Sequence, residues 1–129
     1  MKRTTHIAVG IAATLPLFSV CPLYSFLGIV GATLPDIDIR LGIKHRTITH
    51  SLLMLFISTL LFALININVG FILGLNYLIH LLLDSCTKMG VPFFYPFNKK
   101  CYGFKFLKTG DQMDYLISLL AIYFIFSYL

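Results

Sequence analysis

Two long apolar runs decide what kind of solvent this chain is built for. Residues 48–67 and 69–86 are each close to the ~20 residues a helix needs to cross a bilayer. Only an uncharged loop around Asn66 and Asn68 separates them. Residues 113–129 form another apolar run, and residues 4–19 and 22–34 form two shorter ones. Composition points the same way: 58% of the 129 residues are hydrophobic and 12% are charged, where an average soluble domain carries about 25% charge. The chain has no tryptophan, so the interfacial aromatic role falls to seven tyrosines and twelve phenylalanines. No linker or low-complexity tract divides it, so residues 1–129 are expected to form a single membrane-embedded domain.

The positions of the charges order these runs. Arg40, Lys44 and Arg46 lie between the second and third runs, and Lys88, Lys99, Lys100, Lys105 and Lys108 between the fourth and fifth. The third and fourth runs therefore read as an antiparallel pair with both basic loops on the cytoplasmic side. The first two runs are too short to cross a ~30 Å core singly at ~1.5 Å per residue. They form either one span broken at Pro16 and Pro22 or a hairpin that returns to its own side. The hairpin also brings Lys2 and Arg3 to the basic side, so it is preferred. The net charge of +5 is spread over short loops, which reads as a topology signal and excludes a nucleic-acid stripe or tail.

Local signals refine this picture. Gly90, Pro92, Pro96 and Gly103 break helix within 88–110, aromatics crowd Phe93–Phe97, and an interfacial loop or lid is expected, with 102–106 as a short strand or turn. Cys21, Cys86 and Cys101 show no ligand spacing and read as reduced, structural residues. Lys2 and Arg3 ahead of Ile7–Val20 imitate a signal peptide, but Phe18-Ser19-Val20 before Cys21 lacks the small-residue cleavage pattern.

The chemistry concentrates in few places. There are four histidines, five aspartates and no glutamate. Seven of these nine are His6; Asp36 and Asp38 in Leu34-Pro35-Asp36-Ile37-Asp38; His45 and His50 in His45-Arg46-Thr47-Ile48-Thr49-His50-Ser51; and His80 and Asp84 in His80-Leu81-Leu82-Leu83-Asp84. Ionisable groups near hydrocarbon cost ~2.5–3.5 kcal/mol each. Each piece alone has a plain explanation. Asp36 and Asp38 can be a solvated turn, and His45 and His50 loop residues before a helix capped by Thr47 or Thr49. His80 and Asp84, at i and i+4, can be a hydrogen bond between helices. Together they converge on one membrane face, and mixed imidazole and carboxylate donors suit zinc, manganese or iron. Seven candidates exceed one tetrahedral ion and fit a two-metal site with a bridging aspartate. Arg46, with Lys44 close by, is placed to hold a phosphate. Asp111 reads as a helix cap and Asp114 as an outer residue.

Several enzyme classes are absent. The sequence has no HExxH, GxSxG or P-loop. The phosphohistidine lipid phosphatases need a Ser-Arg pair ahead of HxxxD, and none occurs here. The Asp36–Asp38 segment, His45-Arg46-x-x-Thr49-His50-Ser51, His80-Leu81-x-Leu83-Asp84, Thr87, Gly90 and Tyr95-Pro96-Phe97 together resemble the YdjM-like family of bacterial inner-membrane proteins described as metal-dependent hydrolases. Thr47 departs from the small residue often found there. The resemblance implies an integral membrane fold and metal-dependent hydrolysis. The His80–Asp84 helix with an upstream aspartate is also similar to zinc-dependent phospholipase C, by motif analogy only.

These readings give specific expectations. The fold is an all-α integral membrane protein of the inner membrane, multi-pass, with an N-terminal helical hairpin, three transmembrane helices and an interfacial loop before the last. The function is a metal-dependent hydrolase cleaving a phosphoester or lipid-linked substrate at the membrane interface. Metal ligands come from His6, Asp36, Asp38, His45, His50, His80 and Asp84, holding one or two ions, zinc foremost. Asp36, Asp38 and Arg46 are the catalytic candidates, with Asp36 or Asp38 as bridging ligand or general base. The partner is membrane lipid or a lipid-linked substrate, with no nucleic acid. The alternative is a non-catalytic metal-binding membrane protein that senses, carries or scaffolds. Transport is disfavoured because the third and fourth runs read as apolar at their centres apart from Ser58 and Thr59.

Overall fold

A computed structural model describes residues 1–18, 22 and 26–129. Among these, the regular structure is helical: α1 (Arg3–Phe18), α2 (Leu27–Thr33), α3 (Ile37–Arg40), α4 (Leu52–Ile65), α5 (Ile67–Ser85) and α6 (Gln112–Tyr128). Short 3-10 turns at Leu34–Asp36 and Ile48–His50 precede α3 and α4.

The helices pack in the order α4, α5, α2, α1, α6, with α1 also touching α5. Small residues set the spacing, as expected where lipid supplies no hydrophobic drive between helices. A Cβ added at Gly70 would stand 2.5 Å from the Ala63 Cα, and one at Gly31 would stand 2.7 Å from the Leu73 carbonyl oxygen. Larger residues there would force α5 away from α4 and from α2. Gly10 faces Ala32 while Gly28 faces Thr14, so α1 and α2 run antiparallel. This is the expected hairpin; most of its connection, Cys21 included, lies outside the described residues.

The outer surface is inverted relative to a water-soluble protein. Phe56, Leu60, Leu61 and Leu64 on α4, Phe71 on α5, and Leu119, Tyr123 and Phe126 on α6 are exposed. The interior holds polar groups beside its apolar residues: His6, Asp38, His50, Asn76, His80, Asp84 and Asp114 are buried. α5, with 19 residues and mean hydropathy 1.5, is long and apolar enough to cross a membrane, while α4 and α6 are shorter apolar helices.

Three sequence expectations need correction. The third run is not helical from residue 48: α4 starts at Leu52 and has 14 residues. Its cap is neither Thr47 nor Thr49 but Ser51, whose hydroxyl accepts from the Met54 amide at 3.2 Å. Thr47 instead donates to the Lys44 carbonyl and Thr49 to Asp38. The fourth run is also not apolar at its centre, because Asn76 is fully buried on α5 and donates to the Ile72 carbonyl. At the other end of the chain, Asp111 caps α6 as expected, accepting from the Gln112 amide at 2.8 Å.

The segment after α5 is a tied-down loop. Val91 and Tyr102 exchange both backbone hydrogen bonds at 2.8 Å, and Leu107 and Lys88 link residues 86–88 to the far end of the loop. These are isolated bridges, antiparallel at Val91–Tyr102 and parallel at Thr87–Leu107, rather than strands. Val91 packs with Tyr77 and Leu81 in a small core below the histidines. Gly103, at φ +145°, passes so close to α5 that a Cβ would stand 2.1 Å from the Ser85 carbonyl oxygen. Cys86 and Cys101 are free thiols.

Candidate metal centre

Five elements deliver the ionisable residues to one end of the helices. His6 closes the first turn of α1. Asp36 closes the 3-10 turn opened by Leu34-Pro35, and Asp38 lies in the single turn of α3. His50 ends the 3-10 turn before α4. His80 and Asp84 occupy adjacent turns on one face of α5. All seven sequence candidates meet there, and the proposed solvated turn at Asp36 and Asp38 is excluded because both are buried.

The donors form two groups, His6 with His80 and Asp84, and Asp36 with His45 and His50, each with donor atoms within 4.8 Å of one another. The groups touch. Asp36 Oδ1 is 3.5 Å from His80 Nε2 and 3.8 Å from His50 Nε2. Asp84 Oδ2 is 3.5 Å from His50 Nε2 and 3.9 Å from His80 Nε2. Two donors on one ion with bonds of about 2.1 Å stand about 3.4 Å apart in a tetrahedron. The observed separations are close to that and long for hydrogen bonds.

Tautomers are fixed from behind. His80 Nδ1 donates to the Ala32 carbonyl at 2.7 Å. His45 Nδ1 donates to Asp38 Oδ1 at 3.1 Å. His50 Nδ1 lies 3.1 Å from Thr49 Oγ1, and that hydroxyl donates to Asp38 Oδ2 at 2.8 Å. Each ring thus turns its Nε2 lone pair inward, the arrangement in which a second acceptor orients a metal-binding histidine. Buried His50 Nε2, His80 Nε2 and His6 Nδ1 have no hydrogen-bond partner among the described residues. Unpaired buried polar atoms are costly, and three imidazole nitrogens sharing that condition beside two carboxylates fit a cation.

Asp38 stands on the Nδ1 side of His45 and His50, behind the inward-facing nitrogens. Burial raises its carboxyl, but the hydrogen bonds from Thr49 and His45 outweigh this and hold it below the ordinary carboxylate value. It remains an anion that orients both rings. Asp84 is held from both sides: Arg46 Nη2 lies 3.0 Å from Oδ2, and the Met1 ammonium and the His6 imidazole meet Oδ1.

Arg46 is more engaged than its place in the sequence suggests. Its Nη1 donates to Thr87 Oγ1 at 3.0 Å and to the Gly90 carbonyl at 2.8 Å. Its backbone is left-handed, at φ +59°, an uncommon state for a side-chain-bearing residue. That turn points the amide at Asp38 Oδ2, 3.3 Å away, while the guanidinium reaches Asp84. A phosphate at Arg46 has to compete with these partners. Lys44 lines a separate cavity of about 230 Å³ together with His45, Arg46, Tyr95 and Lys99.

Sequence reasoning missed several supports. Thr49, Thr87, the Ala32 carbonyl and the Met1 ammonium all hold site residues. Only the threonines left a trace, inside the His45–Ser51 motif and after Asp84. Asp114 is an anchor at the base of α6, accepting from Thr5, from the Lys2 amide and from the Gly110 amide.

The family described as YdjM inner membrane protein matches residues 1–128. The chain belongs to that family. Members of the YdjM family are membrane proteins by that description, in agreement with the inverted surface seen here. Protein YvsG of Bacillus subtilis (strain 168) is 32% identical over 141 residues, an alignment covering 91% of this chain and 87% of YvsG. No solved structure matches the chain. As a YdjM family member the chain is an inner-membrane protein, and its His and Asp groups could hold a metal ion.

Proposed function

We propose that this YdjM family member is a membrane-embedded, metal-dependent hydrolase that cleaves a phosphoester or lipid-linked ester at the membrane interface. The observation that carries the reading is the direction of the imidazoles. His45, His50 and His80 turn Nε2 towards Asp36 and Asp84, with each Nδ1 held from behind.

The donor set suits two divalent ions, zinc foremost, with manganese and iron accommodated by the same ligands. His6, His80 and Asp84 would hold one, and Asp36, His45 and His50 the other. When bound, such ions supply Lewis acidity and lower the pKa of a coordinated water towards neutral. The residues do the rest. Asp36, close to both His80 and His50, would be the carboxylate ligand common to the two groups. Asp38 keeps His45 and His50 in one tautomer. Arg46 and Thr87 hold Asp84 in place.

Three further features belong to the proposal. α4, α5 and α6 each cross the membrane, with α4 and α6 completing their spans through flanking residues. The site faces the cytoplasm, the side of the basic loops. The 88–110 loop shapes access, since Tyr95 and Lys99 share a cavity with His45.

The test is hydrolysis of a panel of phosphomonoesters and phosphodiesters, soluble and lipid-borne, by zinc- or manganese-loaded protein. Turnover in the wild type and its loss in Asp84→Ala supports the proposal. Stoichiometric metal without turnover of any ester replaces it with a metal-binding sensor, carrier or scaffold.

A further inference from the structure

Two arginines are left over once the donors are accounted for. Arg3 opens α1 and Arg40 closes α3, and both are exposed. Among the described residues, Arg46 forms an ion pair but Arg3 and Arg40 form none. Both line one cavity of about 360 Å³ that also touches Asp36. The cavity therefore abuts the donor cluster at the carboxylate shared by His50 and His80.

Apart from Thr33, the remaining walls of this cavity are hydrocarbon. Ile7, Val30 and Ile37 line it, and Val30 and Ile37 are themselves 45% and 42% exposed on the outer surface. A neighbouring cavity of about 330 Å³ shares Leu34 and Ile37 and continues along Ile57 and Leu61 of α4. The space is thus amphiphilic: two cations near Asp36, then an apolar path over the outer face.

That pattern matches one class of ligand. Guanidinium groups recognise phosphate through paired N–H donors, and basic residues beside a bilayer attract anionic headgroups. A soluble phosphate would have no use for the apolar walls. A neutral lipid would have no use for the arginines. We infer that this cavity is the subsite for an anionic membrane phospholipid. Arg3 and Arg40 receive its phosphate, and its acyl chains lie along Val30 and Ile37. This names the substrate class for the hydrolase reading and rests on it for catalysis, but binding at the arginines does not require the metal.

Lipid retention by the full chain in detergent, read by native mass spectrometry, tests this. The probes are phosphatidate, diacylglycerol with the same acyl chains, and inorganic phosphate as competitor. Phosphatidate should be retained at least about tenfold over diacylglycerol, and millimolar inorganic phosphate should not displace it. Arg3→Gln with Arg40→Gln should reduce retention to the diacylglycerol level. Val30→Trp, which keeps both arginines and fills the apolar wall, should weaken it at least about fivefold. Unchanged retention in the double arginine variant overturns the inference, and so does full retention in Val30→Trp. Displacement by inorganic phosphate assigns the arginines to a soluble anion and overturns the lipid assignment. Asp84→Ala separates the two readings. It should keep phosphatidate while losing turnover. Wild-type protein that retains phosphatidate through the arginines yet turns over no ester leaves this subsite standing and removes the hydrolase.

Discussion

The two donor groups differ in how they are held. His6, His80 and Asp84 sit on α1 and α5, fully buried, with His6 stacked on His80 at 3.7 Å between ring centroids. Asp36, His45 and His50 sit on 3-10 turns and loop, and the His45 side chain is 35% exposed. The first group is fixed by helix packing. The second is fixed by polar contacts, chiefly Asp38 and Thr49. Helix-borne donors give a rigid, closed position, whereas loop-borne donors leave an approach from outside. Under the proposed function, the first group anchors the tighter ion and the second, beside the Arg3–Arg40 cavity, meets the substrate.

The largest effect should come from Asp84, a donor of the first group that also lies 3.5 Å from His50 of the second. Asp84→Ala removes a donor near His6, His50 and His80 and leaves Arg46 buried without its carboxylate. Metal content should fall to background, and the fold should lose about 3–5 kcal/mol, the usual cost of breaking a buried ion pair. Thermal unfolding in detergent checks the second part. Metal content equal to wild type would remove Asp84 from the donor set.

His45→Ala should separate the groups. It is expected to release one ion and retain the other, with little change in thermal stability because the ring is partly exposed. Loss of both ions together would mean that the groups act as one site.

Asp38→Asn should act more weakly, through the rings. Replacing an orienting carboxylate typically costs about 10–100-fold in metal affinity, and competition with a chelator measures it. The loss should fall on the loop-borne group, since Asp38 contacts His45 and His50 but neither His6 nor His80. A loss of the helix-borne ion instead would break the division. Thr49→Val is the smallest perturbation. One hydrogen bond of about 1 kcal/mol corresponds to a roughly fivefold weakening, again confined to the second ion.

The helix-borne group was the more legible in the sequence. His80 and Asp84 at i and i+4 announce a shared face, and the apolar runs give the helices that carry them. His6 joined them only through the hairpin, which loop charge favoured and the Gly10–Ala32 and Gly28–Thr14 contacts bear out. The loop-borne group was legible as a set of residues but not as an arrangement. Asp36 and Asp38 look interchangeable in Asp-x-Asp. Two residues of 3-10 and helical turn place one against Nε2 atoms and the other against Nδ1 atoms. The anchor of His80 is a backbone carbonyl, which any residue at position 32 supplies, so no side-chain pattern marks it. Arg46 looked like a free phosphate ligand because its partners, Thr87 and the Gly90 carbonyl, lie more than forty residues away. Asn76 was overlooked inside an apolar run, although it lies one turn before His80 on the same face.

Everything above depends on whether these imidazoles and carboxylates hold metal. Elemental mass spectrometry on wild-type protein, purified in mild detergent without chelators and compared with Asp84→Ala and His45→Ala, tests it most directly. The wild type should carry about two equivalents of zinc or manganese, His45→Ala one and Asp84→Ala none. A wild-type protein that carries no metal and takes up none on titration would contradict it and leave the cluster as a His–Asp network that ties the helices together.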